Sequence, residues 1–360
     1  MAVDKIPEDE FLDDVVAKLD KEGQIPAGYA TFRLSTKGKL GGAPEVFHMR
    51  NLSVDEAYEL GTVTRSEIAS KINNILQRLI LEEDVQIKKF KDNEVAETLV
   101  RFFATFYQKK WQVDHVEMNE YFTQYALEHA FHGKDDQAFR EWLHKIKTGK
   151  IPTSFNIDLT KLRFYKQPDE PKTKIKLKLI DGSYAIFRLP EFGDSVVVES
   201  AIKEKFSNEE KRHAQTYEAW ERKQRMERAL EEGRLETTAN MPYIPETELK
   251  ELLKFEAEKA KFSFDMMKGL YLSELDGVNY EDAPLQERIA IARDYRIDFN
   301  RFNELSKKFK EIKVGIVPKV KVDDHPITGK TEEIDYTFRT MDLLAGIKNT
   351  HVDDSDFELV

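Results

Sequence analysis

Lys174-Ile175-Lys176-Leu177-Lys178-Leu179-Ile180-Asp181-Gly182-Ser183-Tyr184-Ala185-Ile186-Phe187-Arg188-Leu189 is the stretch that decides the fold class. Ile175, Leu177 and Leu179 alternate with lysines, so one face of the segment is apolar and the other charged. Asp181-Gly182 supplies a tight turn, and Tyr184 to Leu189 returns as a second strand. The lysine face is expected to meet water. Because this β-hairpin stands among segments of helical period, the class expected is α+β, mainly helical with two or more β-hairpins, arranged as helix-plus-hairpin halves.

Upstream of the hairpin, Gln167-Pro168-Asp169-Glu170-Pro171 reads as a linker. Before it, Val46-Phe47-His48-Met49 reads as a short strand, and Ser53 with Glu56 forms a capping box that starts a helix near residue 54. Ile68, Ile72, Ile75 and Leu79 recur at three- and four-residue intervals, as do Val95, Leu99, Phe102, Phe103 and Phe106, which predicts two amphipathic helices that pack together. A strand through Trp111 and Val113 follows, then an aromatic-rich helical pair over Tyr121 to Lys147.

Downstream, Ser207 with Glu210 reads as a second capping box opening a solvated helix to Glu232, laced by i,i+4 charges. Glu246 to Leu275 carries a stripe through Leu249, Leu252, Leu253, Ala260, Phe264, Met267 and Tyr271. Helices over Leu285 to Tyr295 and Phe299 to Ile312 lead to a last hairpin, Val317 to Val322 with Ile334 to Phe338. The domains expected are an N-terminal arm (1–42), a helical domain with short strands (43–167), a hairpin plus helical domain ending in the terminal hairpin (168–345), and an acidic tail (346–360).

The 360 residues suffice for two domains. A net charge of −11 and a pI near 5.4 work against a general phosphate-binding surface. Zero Cys excludes disulfides, thiolate catalysis and Cys-ligated metals. Met1 to Glu10 lack the apolar stretch of a signal peptide, and no run approaches the roughly 18 apolar residues of a membrane span, so a cytoplasmic life is expected.

Motifs for chemistry fail at named positions. Gly329-Lys330-Thr331 ends like a phosphate-binding loop, but position 324, where that loop needs Gly, is Asp, and strands flank it. Glu128, His129 and His132 offer two imidazoles on one helical face, half of a metal site. Asp353, Asp354 and Asp356 lack the Gly and closing Glu of a calcium loop. Close carboxylate pairs must exist among 67 acidic residues, but none stands out. Neither a catalytic residue, a metal ligand nor a cofactor is assigned. Tyr217 and Trp220 on a charged helix need a surface to cover them, either within the chain or on a partner, as do Phe357, Leu359 and Val360 in the tail.

The order of parts resembles the T4-type phage baseplate hub and hub-assembly family. The residues that carry the resemblance are Met49-Arg50-Asn51-Leu52-Ser53-Val54-Asp55-Glu56, a helix through Ile68 to Ile80, an acidic turn, a helix from Asp92 to Tyr107 and an exit strand. Phe187 to Leu189 followed by Val196-Val197-Val198, helices ending in Leu270 to Gly277, and Val314-Gly315-Ile316 entering the last hairpin extend it over most of the chain. In that family the terminal hairpin often holds a Cys-based knuckle; here Val322-Asp323-Asp324-His325-Pro326-Ile327-Thr328-Gly329-Lys330 has no Cys, so the resemblance implies a hairpin kept as a shape, with Pro326, Thr328 and Gly329 making its turn. Tyr121 to Thr148 and the charged helix from Ser207 are additions to the family core, suited to docking.

The resemblance implies a non-enzymatic virion structural or assembly protein of a contractile phage tail, at the baseplate hub, found in the virion and, during assembly, in the host cytoplasm. Its partners would be other tail proteins in multiple copies, without membrane or nucleic acid. Two alternatives rest on residues alone: a hydrolase using carboxylates with His129 and His132, and a nucleic-acid-binding accessory protein using Lys172 to Lys178.

Overall fold

The computed structural model describes residues 25–62, 67–113, 141, 144, 155–179, 181–231, 241–294, 299–323 and 331–338. In chain order the elements are β1 (Tyr29–Arg33), β2 (Val46–Arg50), α1 (Val54–Gly61), α2 (Ile68–Leu79), α3 (Asp92–Phe106), β3 (Lys110–Val113), β4 (Phe155–Asp158), β5 (Lys174–Lys178), β6 (Tyr184–Arg188), α4 (Phe192–Glu231), α5 (Glu246–Tyr271), β7 (Leu272–Leu275), β8 (Val278–Asn279), α6 (Leu285–Asp294), α7 (Phe299–Glu311), β9 (Lys319–Val322) and β10 (Glu332–Asp335). Among the described residues, seven helices and ten strands in small antiparallel sheets make an α+β fold. The chain divides into two compact units, residues 1–63, 71–171 and 312–360 forming the first, residues 64–70 and 172–311 the second.

In the first unit β1 and β2 pair antiparallel, with Phe32 opposite Phe47. Their rings stack at 5.7 Å, and Phe90 meets Phe47 edge-on at 5.6 Å. Residues 25–42 were expected to belong to a loose arm; instead β1 and the buried Leu34 and Leu40 lie within this core. The acids, Gly and Pro of that stretch hide a strand of only five residues, too short to show alternation.

The Ser53–Glu56 capping box forms as read: the Ser53 hydroxyl accepts the Glu56 amide at 3.3 Å, and Glu56 accepts the Ser53 amide at 2.9 Å. Ile72, Ile75 and Leu79 of α2 are fully buried and line one small apolar cavity with Leu99 and Phe102 of α3, so the two stripes face each other as expected.

A four-stranded sheet of order β10-β9-β4-β3 completes this unit. The terminal hairpin therefore does not close the second half, where its chain position put it: Ile157 of β4 pairs with Val322 of β9, and Trp111 of β3 donates its indole N–H to the Tyr336 hydroxyl at 3.2 Å. Such pairing joins strands far apart in sequence, which local patterns do not encode.

The second unit holds the sheet β5-β6-β7-β8. β5 and β6 form the hairpin that the opening stretch predicts, with Ile175 paired to Phe187 and Leu177 to Ala185. Leu179, Ala185, Phe187, Leu272 and Leu275 meet Ala292, Phe302 and Leu305 of α6 and α7 in its core.

Three readings of this unit change. Ser207 starts no helix, because α4 runs unbroken for 40 residues from Phe192. Its true start lies where the Asp194 carboxylate accepts the Glu191 amide at 2.8 Å; Ser207 and Glu210 match a capping box in spacing only. In α5 the buried line is Leu252, Phe255, Met266 and Leu270, while Leu253 and Ala260 are exposed. Finally, α5 ends at Tyr271, and Leu272–Leu275 is a strand, joined to β8 by Asp276-Gly277 with φ of 46° and 85°, the left-handed pair that a two-residue hairpin turn requires.

Candidate interaction surface

The first constellation with a catalytic look is Glu94 and Glu97 on α3, both at 0% exposure. Burial pushes the Glu94 carboxyl above its ordinary range, against the pull of its hydrogen bonds. Each acid is nonetheless fully engaged. Glu94 accepts from the Thr36 hydroxyl at 2.6 Å and the Lys91 amide at 2.8 Å; Glu97 accepts from the Ser35 amide and hydroxyl at 2.8 and 2.7 Å and from Arg101 at 2.7 Å. The pair ties the loop after β1 to α3, so its arrangement performs a structural task.

A different surface arises where α4 and α5 lie side by side, antiparallel. Lys259 pairs with Glu210 at 2.6 Å, Arg212 with Glu251 at 3.1 Å, and Thr216 donates to Glu248 at 3.3 Å, so positions advance along one helix as they recede along the other. The seam is aromatic. Phe206 meets Phe255 and Phe262 edge-on at 5.8 and 5.5 Å, and His213 stacks on Phe255 at 5.2 Å.

Tyr217 and Trp220, singled out in the sequence, sit together on α4 with ring centres 5.8 Å apart. Both are half-buried against the cluster of Phe206, Leu252 and Phe255. The chain itself thus covers part of each ring. Two further apolar side chains join the surface: Tyr243, just before α5, which the sequence reading passed over, is 89% exposed, and Leu253, read there as part of the α5 stripe, is 47% exposed. The signal for Leu253 was present, since adjacent leucines on a helix diverge by about 100° and Leu252 takes the buried direction.

The other sequence candidates separate. Phe357, Leu359 and Val360 lie outside the described residues, as do Glu128, His129, His132, Asp324, Gly329, Lys330 and the acidic tail. Thr331 bonds to Asp323 at 3.0 Å between β9 and β10, in keeping with a hairpin loop. Lys174 pairs with Glu281 at 2.8 Å, and the Lys176 ammonium stands 3.5 Å over the Tyr184 ring. Among the described residues, no three His, Asp or Glu side chains gather as a metal ion would need, and no helix is long and apolar enough to cross a membrane.

No protein-family model matches this sequence, and no curated protein or solved structure is similar to it at a significant level.

Proposed function

We propose that this protein is a structural or assembly component of a contractile phage-tail baseplate, in the hub region, and that it works through contacts with other tail proteins and not by catalysis. The observation that carries the reading is the paired α4 and α5, a polar helix 40 residues long braced by an aromatic seam that half-covers Tyr217 and Trp220, with Leu253 of α5 and Tyr243 just before it left open. Large aromatic side chains on an otherwise charged element are the usual anchors of a protein interface, and exposed apolar neighbours such as Leu253 add to the area they bury. The resemblance of the element order to the hub family supplies the kind of assembly.

Replacing Tyr243 and Leu253 together by Ser tests the reading, because neither belongs to the buried core and stability should stay within about 0.5 kcal/mol of wild type. The expected result is loss of completed tails with normal levels of folded protein. Normal tail assembly by this variant would remove the surface from the proposal. Mass spectrometry of purified tails separates a built-in part, present in the particle, from an assembly factor, which leaves before completion.

A further inference from the structure

The sheet of the second unit runs β5-β6-β7-β8, so among the described residues β5 is an edge strand with β6 as its one strand neighbour. The opposite edge, β8, is two residues long, whereas β5 is five. Hairpin register tells which backbone groups of β5 point outward. The Leu179 amide donates to the Ser183 carbonyl and the Leu189 amide to the Thr173 carbonyl, both at 2.8 Å. Odd-numbered residues of the strand therefore bond to β6, and in an antiparallel ladder the residues between them turn their N–H and C=O groups the other way. Those residues are Lys174, Lys176 and Lys178.

The same three lysines, with Lys172 before them, are exposed and share one face of the strand. Carboxylates reach this face at Glu281, which pairs with Lys174 at 2.8 Å, and at Glu274, which takes the Tyr184 hydroxyl at 3.3 Å. Along the edge itself the charge is positive, since no acid lies between Lys172 and Lys178. On the other face Ile175 and Leu177 pack against the core around Leu179, Phe187 and Phe302, yet both stay half-buried. An edge built this way rejects its own kind, because a second β5 laid alongside, apolar face inward, would set lysine opposite lysine. It suits a strand that puts carboxylates opposite the lysines and apolar side chains beside Ile175 and Leu177.

We propose that the outer edge of β5 takes an added antiparallel strand from a partner protein, an extended segment in which acidic and apolar residues alternate. Its acidic residues lie opposite Lys174, Lys176 and Lys178 and exchange backbone hydrogen bonds with them, while its apolar residues cover Ile175 and Leu177. The outward backbone groups select a peptide over nucleic acid, because a phosphodiester chain has no N–H groups to offer the strand carbonyls. This edge uses none of the residues of the Tyr243 and Leu253 surface, so either proposal can fail while the other stands.

The experiment uses the full chain at low ionic strength and follows a labelled, end-capped peptide of alternating Glu and Val by fluorescence anisotropy. Its controls are a peptide of the same composition with Glu and Val in separate blocks, an alternating Gln and Val peptide, and two N-methylated forms. The expected result is saturable binding of the alternating acidic peptide, about tenfold weaker or more for the block and Gln controls, and weakened by added salt. Methylating the Glu amides, which face β5, should abolish binding, whereas methylating the Val amides, which face away, should leave it standing; this contrast needs no protein variant. Lys176→Glu combined with Lys178→Glu, at an unchanged unfolding temperature, should lose the Glu peptide and gain its Lys counterpart. The proposal is overturned by no saturable binding, by equal binding of the block peptide, by indifference to which amides are methylated, or by tighter binding of a single-stranded oligonucleotide. Self-association of the chain that the double variant abolishes would also overturn it, by giving the edge to a second copy.

Discussion

Ser35 gives both its backbone amide and its hydroxyl to the Glu97 carboxylate, at 2.8 and 2.7 Å, across 62 residues of chain. Glu97 is fully buried and also holds Arg101, so Glu97→Ala strands three donors at once. The expected cost is about 3 kcal/mol, typical of breaking a buried charged network. Urea unfolding measures it, and a loss below about 1 kcal/mol would mean that Leu34 and Leu40 hold the loop without the carboxylate.

Glu94 should behave in the opposite way. Its folded pKa is raised above 4.5, so its contribution to stability is present below about pH 4.5 and is lost as pH rises through the folded value. Glu94→Gln keeps an acceptor for the Lys91 amide and a partner for Thr36 while removing the buried charge. The variant is expected to equal or exceed wild-type stability at pH 7, with the difference vanishing near pH 4. A variant clearly weaker than wild type at pH 7 would contradict this account.

Arg50 grips Glu56 with two bonds of 2.8 Å and holds its carboxyl down to about 2. A depressed carboxylate stabilises the fold above its unfolded pKa and loses that stabilisation as pH falls from about 4.5 toward 2. At 1.36 kcal/mol per pKa unit the contribution at pH 7 is about 3 kcal/mol. Glu56→Gln should therefore cost on that order at pH 7 and less than half of it at pH 3, as read by denaturant titrations at the two pH values.

Gly269 inverts an ordinary expectation. Gly→Ala within a helix usually stabilises by about 1 kcal/mol, but a Cβ here would lie 2.5 Å from Ile289 Cγ1 and 2.9 Å from the Ile289 backbone nitrogen. Because α5 and α6 approach this closely, Gly269→Ala is expected to destabilise by about 1–3 kcal/mol. A raised melting temperature would show that the crossing has room to give.

What the sequence made legible was local. The Ser53 capping box and the β5–β6 hairpin depend on residues a few positions apart, and both stand in the structure as read. Ser207 misled because Ser and Glu three apart cap a helix only where the preceding backbone is extended, and the helix had already begun at Phe192. The β4–β9 pairing and the burial of Glu94 and Glu97 depend on partners far along the chain, which no local period reveals. At the candidate surface, Tyr217 and Trp220 were legible as aromatics on a charged helix. Tyr243 was not, because exposure belongs to the folded surface and not to the residue.

The pairing of β4 with β9 has a consequence for synthesis. The ribosome delivers β9 only after the entire stretch 172–311, so the second unit can fold while the first still lacks a strand. At about 5–20 residues per second, this wait lasts on the order of ten seconds, with the edge of β4 unpaired throughout. Chaperone dependence and temperature sensitivity during expression should therefore trace to the unit that starts first and finishes last.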